Sequence, residues 1–312
     1  MSYTAMLCWV LVAFYGLTSL LLSMLVAVAW RIGLARMCSS SQDFLALRLL
    51  PACGAALLTL TVVLPSFVIY EPGRQIEDAG PLLLALALLV LITVSAGIIR
   101  GGRAVWSART LLQRCGSTDH WCAADGRTVD LIDIPEPIVA VVGGWRPQIV
   151  AAKHVFGTCS ADEFHQVIAH EAAHVSSRDN LKLLLFLISP DVLAWLPSGA
   201  ALEACWRAAA EFEADERATG SDPRKRVALA AALIKVARLS TGTHPPLPAL
   251  SMPVALDDME GRVRRLLSPS ARAARTTTVK DLLTWVSVVP VIAVPLYGPV
   301  HQVIEALVAL GR

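Results

Sequence analysis

The chain is 312 residues long, 55% hydrophobic and only 17% charged, with a formal net charge of +2 at neutral pH. That apolar excess excludes an intrinsically disordered chain, and the near balance of charge offers no extended cationic surface for nucleic acid. It is the composition of a protein that meets a lipid bilayer.

Four long runs lack any Asp, Glu, Lys or Arg: 1–30, 49–70, 79–99 and 282–304. Each is long enough to cross about 30 Å of hydrocarbon as a helix. The expected organisation is therefore a span at 1–30, a cytoplasmic loop at 31–48, a span at 49–70 and an external loop at 71–78. A span at 79–100, a domain at 101–280, a span at 281–304 and a tail at 305–312 follow. The first run has no basic residue ahead of its apolar stretch and is too long for the core of a signal peptide, so it reads as a span.

Orientation follows from arginine and lysine, which remain on the cytoplasmic side of short loops. The first loop carries Arg31, Arg36 and Arg48 against Asp43, whereas the second carries Glu71, Glu77 and Asp78 against Arg74. Arg100, Arg103 and Arg109 follow the third span, and Arg272, Arg275 and Lys280 precede the fourth. The expected location is the plasma (inner) membrane, multi-pass, with the domain in the cytoplasm and the N-terminus outside. Pro290, Pro295 and Pro299 interrupt the last segment, so Val300 to Leu310 reads alternatively as an amphipathic helix at the interface.

Within 101–280, Arg127 to Ile132, Ile138 to Val142 and Gln148 to Ala152 read as short strands, with a Gly143 to Pro147 turn between the last two. Ser160 and Glu163 form a capping box that opens a helix, and Phe164, Val167, Ile168 and Ala172 recur along it at helical spacing. Leu181 to Leu202 is apolar, but Lys182, Pro190, Asp191 and Pro197 divide it before it spans a bilayer. A helix near Arg224 to Leu239, a proline-rich loop from Pro245 to Pro253 and a short charged helix around Met259 to Leu267 complete the domain. Its 21 basic and 19 acidic side chains again indicate no nucleic-acid partner. The seven cysteines suit a reducing compartment. Cys115, His120 and Cys122 have a poor spacing for a second metal site.

Residues 170 to 174 read His-Glu-Ala-Ala-His. Two histidines four apart share a helix face, so His170 and His174 reach one metal ion while Glu171 stands beside its open side. A catalytic zinc takes three protein ligands and a water, so one ligand remains to be found. A third histidine six residues on is excluded, because that position is Asn180. A later helix offers Glu211, with Asp215 one turn further to hold His170 or His174 by its second ring nitrogen; Glu213 and Glu203 are rivals for the ligand. An acidic helix face paired with Arg207 and Arg217 is the plainer alternative for this cluster. The chemistry implied is hydrolysis of a peptide bond with Zn2+ as cofactor and Glu171 as catalytic base. The four tyrosines lie outside 101–280, which leaves His244 or an arginine as the donor to the developing oxyanion, with an ordinary loop histidine as the alternative for His244.

The strings Pro137 to Val150 (PIVAVVGGWRPQIV), His170 to Leu181 (HEAAHVSSRDNL), Glu211 to Asp215 (EFEAD) and Arg262 to Leu267 (RVRRLL) resemble the integral-membrane zinc peptidases of the BlaR/MecR type, metallopeptidase family fifty-six. The order of three spans, a domain and a fourth span is similar as well. The resemblance implies a multi-span α-helical membrane protein with a mainly α (α+β), gluzincin-like zinc peptidase domain carrying a small β-sheet. It implies His170, His174 and Glu211 as ligands, Glu171 as base and Asp179 as a supporting polar residue. It also implies a protein substrate such as a cytoplasmic repressor in a signalling pathway. Receptors of this type carry a C-terminal penicillin-binding sensor after the fourth span; with the sequence stopping at Arg312, beta-lactam sensing is not expected of this chain. A quality-control or prenyl-protein-processing zinc protease, or a non-catalytic signalling module that keeps its metal, are the alternatives. No feature of the sequence sets an oligomeric state.

Overall fold

The computed structural model describes residues 3–33, 38, 40–70, 80–114, 119–122, 126–239, 251–253, 259–268 and 294–309. The chain divides into two compact units, one made of 1–98, 188–205 and 275–312 and the other of 99–187 and 206–274.

The first unit is helical. α1 (Tyr3–Arg31), then α2 (Ser41–Leu58) continued through a wide turn into α3 (Leu64–Tyr70), and α4 (Pro81–Arg114), whose residues from 99 on belong to the second unit, include three stretches long and apolar enough to cross a membrane. Much of this apolar surface is outward: Leu82, Leu84, Leu88, Leu91, Ile92, Ile98 and Ile99 of α4 are all exposed. In water such a surface would drive association, whereas in lipid it is the favoured solvent contact. These helices make the chain a membrane protein. The wide turn at Thr59–Val63 has a sequence cause: Pro65 lacks an N–H and its ring crowds the carbonyl four residues back. The helix accommodates it by widening, with the Leu64 N–H donating to the Thr59 carbonyl instead of one residue nearer.

α2 starts at a complete capping box between Ser40 and Asp43. On α2, Arg48 is buried and donates to both oxygens of Asp191, at 3.2 and 3.0 Å. Asp191 also accepts from the Ser189 hydroxyl and caps the short 3-10 turn Val192–Trp195 through the Ala194 N–H. The apolar packing there joins Val26 and Trp30 of α1 to Leu193, Leu196 and Leu202. Of the expected fourth span at 281–304, residues 281–293 lie outside the described residues; 294–304 and the first residues of the expected tail form a 3-10 turn and the 13-residue helix α11 (Tyr297–Ala309), which the last cluster below buries through Ile304. That cluster includes Phe14, Val63, Phe67 and Leu83.

The second unit holds a five-stranded sheet of order β1-β2-β4-β3-β5, from β1 (Asp119–Cys122), β2 (Thr128–Ile132), β3 (Val139–Val142), β4 (Gln148–Ala152) and β5 (Ser251–Pro253). The expected β3–β4 hairpin is present, paired Val139 with Ala151 through Val142 with Gln148, and Gly143 takes the positive φ of 94° that its turn requires. β2 lies parallel to β4, which places β4 between β2 and β3. The hairpin strands are therefore interior, and the outer strands are β1 and β5. β3 and β4 are buried along nearly their full length, as an interior strand covered on both faces must be.

α5 (Lys153–Thr158), α6 (Ala161–Ser177), α7 (Asp179–Ile188), the later part of α8 (Pro197–Thr219), α9 (Pro223–Leu239) and α10 (Met259–Leu267) complete this unit. α6 begins at the expected capping box, with Ser160 and Glu163 each bonding the other's backbone N–H. Its apolar face, Phe164, Val167, Ile168 and Ala172, packs with Val129, Val141 and Ile149 of the sheet and Leu229, Leu233 and Val236 of α9 in one core. That core fixes the roll of α6 about its axis, and with it the direction in which His170 and His174 project.

Candidate metal centre

On α6, His170, Glu171 and His174 are all buried, and so are Glu211 and Asp215 on α8. One helical turn separates the two histidines, whose Nε2 atoms stand 3.1 Å apart. Glu211 faces both: its Oε2 lies 3.4 Å from His170 Nε2 and its Oε1 3.4 Å from His174 Nε2. The three side chains offer ligand atoms within 4.8 Å of one another, and among the described residues they form the one such group of three metal-capable side chains. Two imidazole nitrogens and a carboxylate oxygen are a donor set that suits zinc, so the residues present fit the ion that the spacing predicts.

Glu211 is thus the carboxylate that meets the histidines, and the two rivals do not. Glu213 pairs with Arg217 one turn on, and Glu203 lies a further two turns back on α8. The same Arg217 donates to the Ala173 carbonyl at 3.1 Å, which ties α8 to α6 beside the site. The plainer alternative, an outward acidic face, fits Glu213 but not Glu211.

Behind the ligand atoms, each histidine is held by a different aspartate. His170 Nδ1 lies 2.9 Å from Asp215 Oδ1, an ion-pair distance off the axis of a straight hydrogen bond. His174 Nδ1 bonds Asp179 Oδ2 at 2.8 Å. Asp179 is clamped in turn by Lys182 at 2.8 Å, and its neighbour Asn180 donates to the Val141 and Gly143 carbonyls at the end of β3. Orienting each imidazole through its far nitrogen leaves both Nε2 atoms as the inward lone pairs.

The sequence reading missed Arg262. This arginine of α10 is buried, with NH1 2.7 Å from Glu211 Oε2, NH2 2.7 Å from Asp215 Oδ1 and Nε 3.0 Å from Asp215 Oδ2. A signal existed: Arg262 stands in the apolar stripe of a short helix, four before the buried Leu266 and beside Val263, where a solvated arginine has no business.

Burial opposes charge on every one of these groups, and the neighbours decide the outcome. Burial would raise Glu211, but the Arg262 charge and the two histidines hold its carboxyl well below the usual range. Asp215 and Asp179 are likewise lowered against burial, by His170 and by His174 with Lys182 respectively. Burial would lower His174, yet its bonds to Asp179 and Glu211 push it up to about 10. Glu171 is the exception: burial dominates and lifts its carboxyl to about 7, and neither of its oxygens has a hydrogen-bond partner among the described residues.

His244 lies outside the described residues, as does Cys115. His120 of β1 pairs with Asp130 of β2 at 2.8 Å, and Cys122 is exposed; neither belongs to the group of metal-capable side chains found among the described residues.

No curated protein matches the chain significantly. The family model described as BlaR1 peptidase M56 matches residues 81–266, which contain the strands, the paired histidines, Glu211 and Arg262. The match includes one of the three membrane-length helices and the whole buried His-His-Glu cluster, and the chain belongs to the M56 family of membrane metallopeptidases.

Proposed function

We propose that this protein is an integral-membrane, zinc-dependent endopeptidase whose domain at 101–280 faces the cytoplasm and cleaves a cytoplasmic or membrane-proximal protein, a transcriptional repressor in a signalling pathway being the substrate that suits that side. The observation that carries this reading is Glu171, a buried carboxylate with no hydrogen-bond partner among the described residues, beside two histidines and a carboxylate that converge on one point. A structural metal site has no use for such a group, whereas a hydrolase needs a base there.

In this reading His170, His174 and Glu211 hold the ion, which when bound supplies Lewis acidity and a water acidified to a pKa of about 7. Glu171 takes the proton of the attacking water and delivers it to the departing amine. Burial raises its carboxyl above the ordinary range, toward the working pH at which a general base and acid is most effective. Asp215 and Asp179 fix the two imidazole planes and stabilise their ligating tautomers. His244 remains the proposed donor to the developing oxyanion. The cytoplasmic placement rests on Arg31, Arg36 and Arg48 in the first loop and on Arg100, Arg103 and Arg109 after the third span.

The test compares purified, zinc-loaded full-length chain with Glu171→Gln on casein and on a co-expressed repressor. The variant is expected to keep its zinc and to lose about 100-fold or more of the hydrolysis rate. Equal cleavage by the two, independent of metal, would end the protease reading.

A further inference from the structure

The third ligand and the group behind the first ligand do not hold themselves in place. Glu211 and Asp215 lie one turn apart on α8, both buried, and two like charges at that spacing repel. What stands between them is the Arg262 guanidinium, 1% exposed, 2.7 Å from Glu211 Oε2 and bonded through Nε and NH2 to both oxygens of Asp215. NH2 also lies 3.4 Å from His170 Nε2. One planar fork therefore touches the ligand carboxylate, the carboxylate that orients His170, and the edge of His170 itself.

We infer that Arg262 is a positioning residue of the metal centre, which sets the orientation of Glu211 and Asp215 together and so makes metal affinity depend on the docking of α10. This rests on the proposed metal site. The argument is geometric. Arginine presents donors in a rigid fork that spans two carboxylates, whereas lysine carries the same charge at one point and cannot face both. Arg262 is brought to the site by packing, since Met259, Val263 and Leu266 of α10 join the core that also buries α6 and α9. Its two neighbours in sequence show the contrast: Arg264 pairs outwardly with Glu260, and Arg265 lies over the Phe212 ring at 5.7 Å.

The experiment uses the full chain in detergent, stripped with a chelator and titrated with zinc, and in parallel with cobalt, against a competing chelator of known affinity. Wild type, Arg262→Lys, Arg262→Gln and His174→Ala are compared, with thermal melts of each metal-free protein. Arg262→Gln is expected to weaken zinc binding about 10- to 100-fold, the usual loss on removing a partner behind a ligand. Arg262→Lys is expected to recover only part of that loss, and the visible absorption of the cobalt protein is expected to change in both. If Arg262→Gln does not fold, Arg262→Lys, which keeps the charge but not the fork, carries the test alone, with a smaller weakening expected. Wild-type zinc affinity and an unchanged cobalt spectrum in a folded Arg262 variant would overturn the inference, even if its melt were lower. Failure of the wild type to bind zinc more tightly than His174→Ala would instead remove the metal-site reading beneath it.

Discussion

His174 and Asp179 meet at 2.8 Å although a helix ends between them. Arg178, which closes α6, takes a left-handed conformation with φ 54° and ψ 41°, the only positive φ at a non-glycine among the described residues. That one reversal turns the chain so that the first residue of α7 folds back under the last histidine of α6. Asp179→Ala should therefore weaken zinc binding about 10- to 100-fold, measured by chelator competition, while Asp179→Asn, which can still accept from Nδ1, should lose less.

The reversal itself is testable by stability. A left-handed residue costs about 1–2 kcal/mol for an ordinary side chain and more for a β-branched one. Arg178→Val should lower the melting temperature of the purified chain, whereas Arg178→Gly should leave it near wild type or above. A stabilised Arg178→Val would mean that the turn does not have this conformation.

The stability of the metal-free protein should fall as pH rises. His174 is raised from its ordinary 6.5 to about 10, so its contribution is fully present below about 6.5 and lost as pH climbs through 10. Glu171, raised from 4.5 to about 7, adds a loss of the same sign between those values. Zinc reverses the trend, since its ligands must shed their protons and binding tightens with pH. Melts of chelator-treated protein should decline from about pH 5 to 10, and the extra stability given by zinc should widen over the same range. A margin independent of pH would count against histidine ligation.

Arg48 and Asp191, both nearly fully buried, form an ion pair across 143 positions of sequence. Removing one partner strands the other charge, so Arg48→Ala should destabilise the protein by about 3–5 kcal/mol in detergent. Arg48→Met combined with Asp191→Leu should restore much of that loss. If the double variant melts no higher than the single one, the cost lies in packing and not in the stranded charge.

Gly97 of α4 marks a close approach. A Cβ there would sit 2.6 Å from the Ile188 carbonyl oxygen, which is backbone and cannot swing away. Gly97→Ala should cost about 1–3 kcal/mol by forcing the two segments apart. Gly102, further along the same helix, has nothing within 4 Å of such an atom, so Gly102→Ala is the matched control and should be neutral or stabilising.

Local patterns made several elements legible in advance. The capping box at Ser160, the apolar spacing of α6, the β3–β4 hairpin and the three helices built on charge-free runs all follow from interactions within a few residues, and such interactions are written in the sequence itself. His170 and His174 belong to that class, because four positions on a helix fix their common face whatever the rest of the chain does. Glu211 was narrowed to three acids by spacing, but only the roll of α8 chose among them, since residues 203, 211 and 213 sit on one helix at different angles. Which aspartate serves which histidine was decided by the reversal at Arg178, a backbone event no local pattern announced. Arg262 required the most: its stripe position hinted at burial, but its partners lie 47 and 51 positions away, and only the docking of α10 on the shared core could bring a cation to two buried carboxylates that would otherwise repel each other. Short-range sterics and periodicity thus set the elements and the facing pair of histidines, while long-range packing brought Glu211 to them and balanced its charge.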